Sequence, residues 1–412
     1  MAKRMISFLG TGSYGTGIYA FDDFNQQKTA FVQTGLAQFL EPEEVVVLVT
    51  EQAKEKNWPK LQAACKEKGI TIPFRVCRIP SGQSETEIWE IFQILADEVQ
   101  DQDILLMDIT HSLRSLPIMA LACVQYLRAL KGVSLEGIYY GAWEAGVDKN
   151  GERWAPVFDL TPFVELMDWS EAVGSFERSG DSSGLRQLID REVRPRQIAS
   201  QGADQEAKLL KEVGQGLYQA SQRMATCRGH EIYTNPVLSR VAERLQQLET
   251  DYSPGKAFKP LLSRMRAKIE SVRCPHDGLS DEVKRGFEAV SWCVQHNLVQ
   301  QAYTLLQENL ITHFCQQGGV DPWARADRTL VASALSLSRK PKDEWSAKAR
   351  EHESFIERIM NYAGSDVLTL YDQLSKKRND INHAGIMQAA SADKLSAEIE
   401  NYTQQAMNLL SR

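Results

Sequence analysis

The sequence predicts an α/β domain with a mostly parallel sheet, followed by helices alone. Three observations predict it. Residues 1 to about 165 alternate short β-branched or apolar runs with amphipathic stretches, the order of repeated β-α-β units. Strand signals stop at about Pro162. From Asp281 to the end, apolar residues recur at helical spacing, as in a compact bundle.

Met5–Leu9 is the first strand, ending in glycines, and reads as a strand rather than a signal peptide. Thr29–Leu40 reads as a helix and Glu44–Thr50, with three consecutive valines, as a buried strand. A helical stretch broken by Pro59 leads to a strand at Phe74–Ile79. Ser84-Glu85-Thr86-Glu87 is a capping box opening a helix over Ser84–Val99, with Ile88, Ile91, Phe92 and Leu95 on one face. A strand at Asp103–Asp108 and a helix at Leu116–Leu130 follow. Leu135–Trp143 and Trp154–Leu160 flank Asn150-Gly151, a hairpin signal that closes the sheet with an antiparallel edge.

Ser179-Gly180-Asp181-Ser182-Ser183-Gly184 is the candidate joint between domains. Beyond it lies a helical stretch carrying Arg186, Arg191, Arg194 and Arg196, then helices to about residue 285 with breaks at Pro236, Pro254 and Pro275. Amphipathic segments at Val283–Gln316, Trp345–Tyr362 and Asp366–Asn382, and a last helix from Ala390, form the bundle. The expected division is 1–165, 166–285 and 286–412.

The chain has 412 residues, 43% hydrophobic and 25% charged, the composition of a soluble globular protein. No apolar run approaches the roughly 18 residues that span a bilayer. Seven cysteines without paired spacing suggest reduced thiols and a cytoplasmic protein. Cys227, His230, Cys274 and His276 lack the spacing of a zinc site, so no metal is expected. His296, His313 and His352 lie on helices, as packing or surface residues. A net charge of -7 argues against non-specific coating of nucleic acid, yet permits a local basic site.

Two concentrations of polar residues fall at carboxyl ends of strands, where open α/β sheets bind ligands. Gly10-Thr11-Gly12-Ser13-Tyr14-Gly15 matches a dinucleotide fingerprint, but Tyr14–Lys28 separates the glycines from the next helix and no acidic residue stands at the expected distance. A tight turn lining a crevice is the plainer alternative. Asp108-Ile109-Thr110-His111-Ser112-Leu113-Arg114-Ser115-Leu116-Pro117 offers hydroxyls, a histidine and an arginine to phosphate or ribose oxygens. Its plainer alternative is helix capping by Asp108 and Thr110. Gln83-Ser84 lies at the same edge.

Near the C-terminus, Lys376-Lys377-Arg378-Asn379-Asp380-Ile381-Asn382-His383 carries residues suited to RNA chemistry. Histidine titrates near neutrality and moves protons; arginine holds phosphate charge permanently. On a regular helix Arg378 and His383 stand about 140° apart, whereas Asn379 and His383 share a face. One copy converges poorly on a phosphate unless Gly385 lets the last turn distort, and two copies across a twofold axis would complete a site. The alternative is a solvated basic run favourable to the helix dipole.

Together, Gly10-Thr11-Gly12 with Tyr14, the strand end Leu48-Val49-Thr50, and the Asp108–Pro117 stretch resemble the CARF sensor domain of CRISPR-associated proteins. Arg378-Asn379-Asp380-Ile381-Asn382-His383 resembles the R-x4-6-H signature of HEPN ribonucleases. The order is that of type III CRISPR accessory ribonucleases. The resemblance implies a Rossmann-like sensor domain, an all-α connector and an all-α HEPN bundle. It implies a cyclic oligoadenylate activator, cyclic tetra-adenylate foremost, bound by Gly10, Thr11, Gly12, Ser13, Tyr14, Thr50, Gln83, Ser84, Thr110, His111 and Arg114. It implies a homodimer or higher even-numbered assembly that cleaves single-stranded RNA without metal or cofactor through Arg378, His383 and Asn379, with Lys376 and Lys377 on the RNA. Ser112 departs from the glycine expected after the histidine. The competing expectation is a non-catalytic, ligand-responsive regulator binding DNA through the arginines of 186–196. A dinucleotide-dependent enzyme ranks third.

Overall fold

The computed structural model describes residues 2–411 apart from 23–24, 112–115, 252–256, 338–339 and 387–388. The chain forms two compact units, Met1–Met167 and Asp168–Arg412.

In the first unit, β1 (Lys3–Leu9), β4 (Glu44–Val49), β5 (Phe74–Arg78), β6 (Ile104–Asp108) and β7 (Ser134–Gly141) form the parallel part of a sheet. The strand order is β3-β2-β9-β7-β6-β1-β4-β5, with β2 (Gly17–Ala20), β3 (Gln26–Thr29) and β9 (Glu152–Asp159) at one side and β8 (Val147–Lys149) paired to β9. Strand β9 runs antiparallel to β7 and parallel to β2. Because the chain goes from β1 outward to β4 and β5, then returns to β6 on the other side of β1, the order reverses between β1 and β6. That reversal opens the crevice where such sheets bind ligands.

The pleat assigns alternate residues to opposite faces. Ile6, Phe8, Val46, Leu48, Leu105 and Met107 pack with α3 (Glu85–Glu98) and α4 (Leu116–Lys131). Met5, Leu9, Val45, Val47, Val49 and Leu106 pack with α1 (Val32–Leu40) and α2 (Glu51–Glu67). Both faces are covered, which is why these strands read as continuous apolar runs. At the hairpin, Asn150 (φ 53°) and Gly151 (φ 80°) both take left-handed conformations, as a type I′ turn requires.

From Thr161 onward the described elements are all helical: α5 (Thr161–Ser179), α6 (Ser183–Ala199), α7 (Gln205–Ala225), α8 (Gly229–Thr234), α9 (Val237–Asp251), α10 (Lys259–Glu270), α11 (Asp281–Gln295), α12 (Val299–Gly318), α13 (Arg325–Leu337), α14 (Ala347–Glu351), α15 (Glu353–Asn382) and α16 (Ala392–Leu410). Helix α7 packs on α6 and α9, while α11, α12, α15 and α16 pack together. Phe287, Trp292, Tyr303, Leu306, Leu370 and Tyr371 fill a core that is continuous through this unit. No helix among the described residues is long and apolar enough to cross a membrane.

Several expectations need correction. Thr29 ends a strand, and the helix expected from it starts at Val32, because Tyr14–Lys28 holds the two short strands β2 and β3. Pro59 does not break its helix; α2 runs through it, burying Ala53, Asn57, Trp58 and Leu61 on the face away from the proline. Val283–Gln316 is two helices, separated where Asn297 takes φ 55° and the Leu298 N–H donates to the Cys293 carbonyl. The helix expected from Trp345 is interrupted at His352, between α14 and α15, whereas the break expected between Tyr362 and Asp366 is present: Gly364 (φ 67°, ψ 170°) is non-helical inside α15. The Ser179–Gly184 segment joins two helices of the second unit. Ser221 Oγ donates to the Gly180 carbonyl at 2.7 Å and lies 2.9 Å from Ser182 Oγ, and this fastens the turn to α7.

Candidate functional site

At the crevice, the turn after β1 is held from three sides. The Gly10 N–H donates to Tyr14 Oη at 2.9 Å, folding the tyrosine back over the glycines. Asn57 on α2, almost fully buried, donates through Nδ2 to the carbonyls of Gly10 (2.8 Å) and Gly12 (2.9 Å). Lys56 Nζ donates to the Thr11 carbonyl at 2.6 Å. A Cβ on Gly10 would stand 3.3 Å from Tyr14 Oη and 3.6 Å from the His111 carbonyl, so a side chain there crowds the turn. Thr11, Gly12 and Ser13 are left exposed at the crevice mouth.

The neighbouring strand end is tied as firmly. Asp108 is fully buried and accepts from Ser7 Oγ (2.6 Å) and the Thr110 N–H (3.0 Å). Thr110 Oγ1 accepts from the Gly141 N–H at 2.8 Å and pins the end of β7. His111 then stacks on Tyr14, ring centroids 4.3 Å apart, with Phe31 at 5.4 Å on Tyr14. His111 Nε2 is enclosed without a partner. Burial lowers the His111 pKa below its ordinary value, and the charge of Asp108 opposes the shift. Burial also raises the Tyr14 phenol, against the Gly10 N–H and with Asp108. The result is a neutral imidazole packed on a neutral phenol at the sheet's reversal point.

Thr50 and Ser84 sit at the ends of the next two strands as helix caps: Thr50 Oγ1 accepts from the Ala53 N–H (3.3 Å) and Ser84 Oγ from the Glu87 N–H (3.2 Å). Glu87 in turn accepts from the Gln83 N–H at 3.0 Å. The structure thus brings Gly10–Tyr14 together with Thr110 and His111 and sets Thr50, Gln83 and Ser84 along the same edge. Arg114 lies outside the described residues, as does Ser112. Lys56 and Asn57 are the positions sequence reasoning missed. The one signal was a polar asparagine beside the buried Trp58.

In the helical unit, α15 beyond its kink at Gly364 stays regular to Asn382 and ends at His383 (φ −96°, ψ 18°). The N–H of Gly385 donates to the Asp380 carbonyl (2.9 Å) and that of Ala384 to Ile381 (3.0 Å), with φ 67° at Gly385 and 56° at Ala384. This is a Schellman termination with alanine in the left-handed position. The last turn is therefore not distorted, and Arg378 and His383 keep their offset of about 140°. Arg378 is half-buried, its Nε enclosed and without a partner, whereas Asn379 and His383 are exposed. Arg378 shares a cleft with Thr226, Cys227, Gln300, Gln301, Thr304 and Asn382. Among the described residues it has no carboxylate in ion-pair contact, so its charge is available. The lysines differ: Lys376 pairs with Asp372 at 2.9 Å and Lys377 with Glu398 at 2.7 Å.

The fold and crevice define the first unit as an α/β ligand-binding domain of the Rossmann type. Residues 5–144 match the family model for the CARF domain of CRISPR system endoribonuclease Csx1. The CRISPR-associated protein MJ1674 of Methanocaldococcus jannaschii is 37% identical over 117 residues, which are 28% of this chain and 18% of that relative's length. Among solved structures, Enterococcus italicus Csm6 bound to cyclic hexa-2′-fluoro-hexa-dAMP aligns over 100% of this chain and 94% of its own, at 10% identity and a TM-score of 0.47.

Proposed function

We propose that the protein is a cyclic-oligoadenylate-activated, metal-independent endoribonuclease that cleaves single-stranded RNA in type III CRISPR antiviral defence, acting in the cytoplasm. The observation that carries this reading is a carboxylate-free, half-buried arginine five residues before an exposed histidine at a helix end, on a chain that opens with a CARF domain. The activator is a cyclic oligoadenylate, cyclic tetra-adenylate first, held along the crevice by Gly10–Tyr14, Thr50, Gln83, Ser84, Thr110, His111 and Arg114. Residues 166–285 act as connector and 286–412 as the HEPN domain.

In the reaction the RNA 2′-oxygen attacks the adjacent phosphorus and the bond to the 5′-oxygen breaks, leaving a 2′,3′-cyclic phosphate and a 5′-hydroxyl. His383 moves the proton, taking it from the 2′-hydroxyl or giving it to the leaving oxygen. Arg378 holds the charge that builds on the phosphorane oxygens, and Asn379, sharing His383's face, orients the imidazole or the phosphate. The offset between Arg378 and His383 calls for two copies, each giving what the other's geometry lacks.

A twofold assembly has support in the first unit. Ile118, Ala122, Tyr126 and Leu130 recur every four residues as an exposed apolar stripe on α4, and Trp89 beside it is 64% exposed. The competing DNA-binding reading loses support from three of the four arginines it relies on, Arg194 being the exception among the described residues. Arg186 pairs with Asp190, Arg191 with Asp168, and Arg196 with Glu192, Asp204 and Glu206.

The test is cleavage of a labelled single-stranded RNA in excess chelator, with and without cyclic tetra-adenylate. Activity should appear with the ring and fall by at least a hundredfold in Arg378→Ala and His383→Ala. RNA left intact with every ring size, or full activity in the double variant, would overturn the proposal.

A further inference from the structure

The cleft beside Arg378 does not end there. Thr226 lines it and also lines a second cleft, formed by Tyr218, Gln219, Gln222, Arg223, Arg228 and Glu231. The two therefore adjoin at Thr226, at the C-terminal end of α7. Tyr218, Gln222 and Thr226 are spaced by four residues and share one helix face, which carries the groove about 12 Å from Thr226 to Tyr218.

The chemistry along this groove is uniform. Gln219, Gln222, Gln300 and Gln301 offer amide donors and acceptors. Tyr218 presents an exposed ring, with the Arg186 guanidinium 5.6 Å from its centroid. Glu231 is the acid in the groove, and it is engaged by Arg223 at 2.8 Å. Arg228 is exposed, bonds only the Thr226 backbone and hydroxyl through Nε (3.1 and 3.4 Å), and has no carboxylate partner among the described residues. The two cations with charge to offer, Arg378 and Arg228, thus stand at the two sides of Thr226, while Lys376 and Lys377 are occupied by their own acids.

We propose that this groove is the track of the single-stranded RNA substrate: Arg228 holds a backbone phosphate flanking the scissile one, and Tyr218 stacks a base further along. An unpaired basic groove with amides and a stacking ring is how single strands are bound without a fixed sequence. The inference rests on the ribonuclease reading and extends it by assigning substrate binding to α7, a region outside the R-x4-H motif.

The experiment measures binding of a fluorescent single-stranded RNA to the full-length His383→Ala protein with cyclic tetra-adenylate present, over a range of salt. Tyr218→Ala should weaken binding about tenfold and Tyr218→Phe should not. Arg228→Gln should weaken binding and flatten the slope of log affinity against log salt by about 0.7, the contribution of one phosphate contact on a single strand, with Arg228→Lys restoring it. Arg228 is exposed, so its slope stands even where the tyrosine variant loses stability. If Arg228→Gln and Tyr218→Ala bind like the parent while Arg378→Ala weakens binding, the track is wrong and the ribonuclease reading survives. If the slope drops in Lys376→Gln and Lys377→Gln but not in Arg228→Gln, the RNA runs the other way and the track is again wrong. A parent that binds no single-stranded RNA overturns both.

Discussion

Gly180 shows how much one residue decides in the helical unit. It holds φ 70°, and a Cβ there would lie 2.9 Å from Trp292 Nε1 and 2.9 Å from His296 Cγ. Gly180→Ala should cost about 2 kcal/mol or more, through the left-handed backbone and the clash together, measured by urea unfolding. His296 beneath it is buried, with Nδ1 2.8 Å from the Trp292 carbonyl. Burial, helped by Lys268, pushes its pKa down to about 4, against the carbonyls of Trp292 and Glu177. Burial alone lowers His313 to about 4 as well. Both pKa values are depressed, so between pH 6.5 and 4 the unfolded chain binds protons that the folded one does not. Stability should therefore fall as pH drops through that window and level off below about 4. His296→Gln should remove part of that slope, seen in unfolding free energies at pH 6.5 and 4.5. Nothing in the spacing of these histidines announced their burial. Burial depends on which helices cross, and periodicity does not carry that.

Among the elements, what the sequence disclosed depended on how much of each one is buried. The strand Glu44–Val49 is almost wholly enclosed and spells itself out in valines. The strand Gln26–Thr29, Gln-Gln-Lys-Thr, is an outer strand in which only the polar Thr29 is buried, and so it carries no apolar signal. Pro59 misled because its cost depends on the carbonyl it leaves unbonded; on the exposed side of α2 water satisfies that group. The end of α15 has the opposite character. Its motif was legible, and of the two courses left open, a distorted last turn or a regular one, the regular one holds: the termination is hydrogen-bonded, with alanine where glycine is preferred. Ala384→Gly should stabilise the protein by about 0.5–1 kcal/mol, read as a rise in urea midpoint. The candidate crevice was legible at its strand ends and illegible at Lys56 and Asn57, whose role arises only when α2 folds back on the glycine turn.

At the scale of the whole molecule, the alternation of strands and helices over the first 165 residues and its cessation near Pro162 were enough to anticipate an α/β domain followed by helices. The sheet's order was not available from alternation, since the reversal between β1 and β6 is set by long-range pairing. Assembly belongs to this scale too. In the proposed dimer the apolar stripe of α4 is the surface on which two copies meet, so Tyr126→Asp and Ile118→Asp should shift the protein to monomer in analytical ultracentrifugation. In the proposed mechanism the same variants lose RNA cleavage with Arg378 and His383 intact. A monomeric parent, or a variant that stays dimeric and active, would remove this face from the interface.

Thr50, Ser84 and Thr110 each accept a backbone N–H, and this fixes where their oxygens stand along the sheet edge. A hydroxyl engaged as acceptor still has its own hydrogen to direct outward. The hydroxyls at these three strand ends therefore each keep a hydrogen and a second lone pair to offer. Such an edge serves phosphodiester oxygens, which only receive, at every position, and the same hydroxyl oxygens still receive from a ligand that must also give, so one fixed row meets both a phosphate and a base.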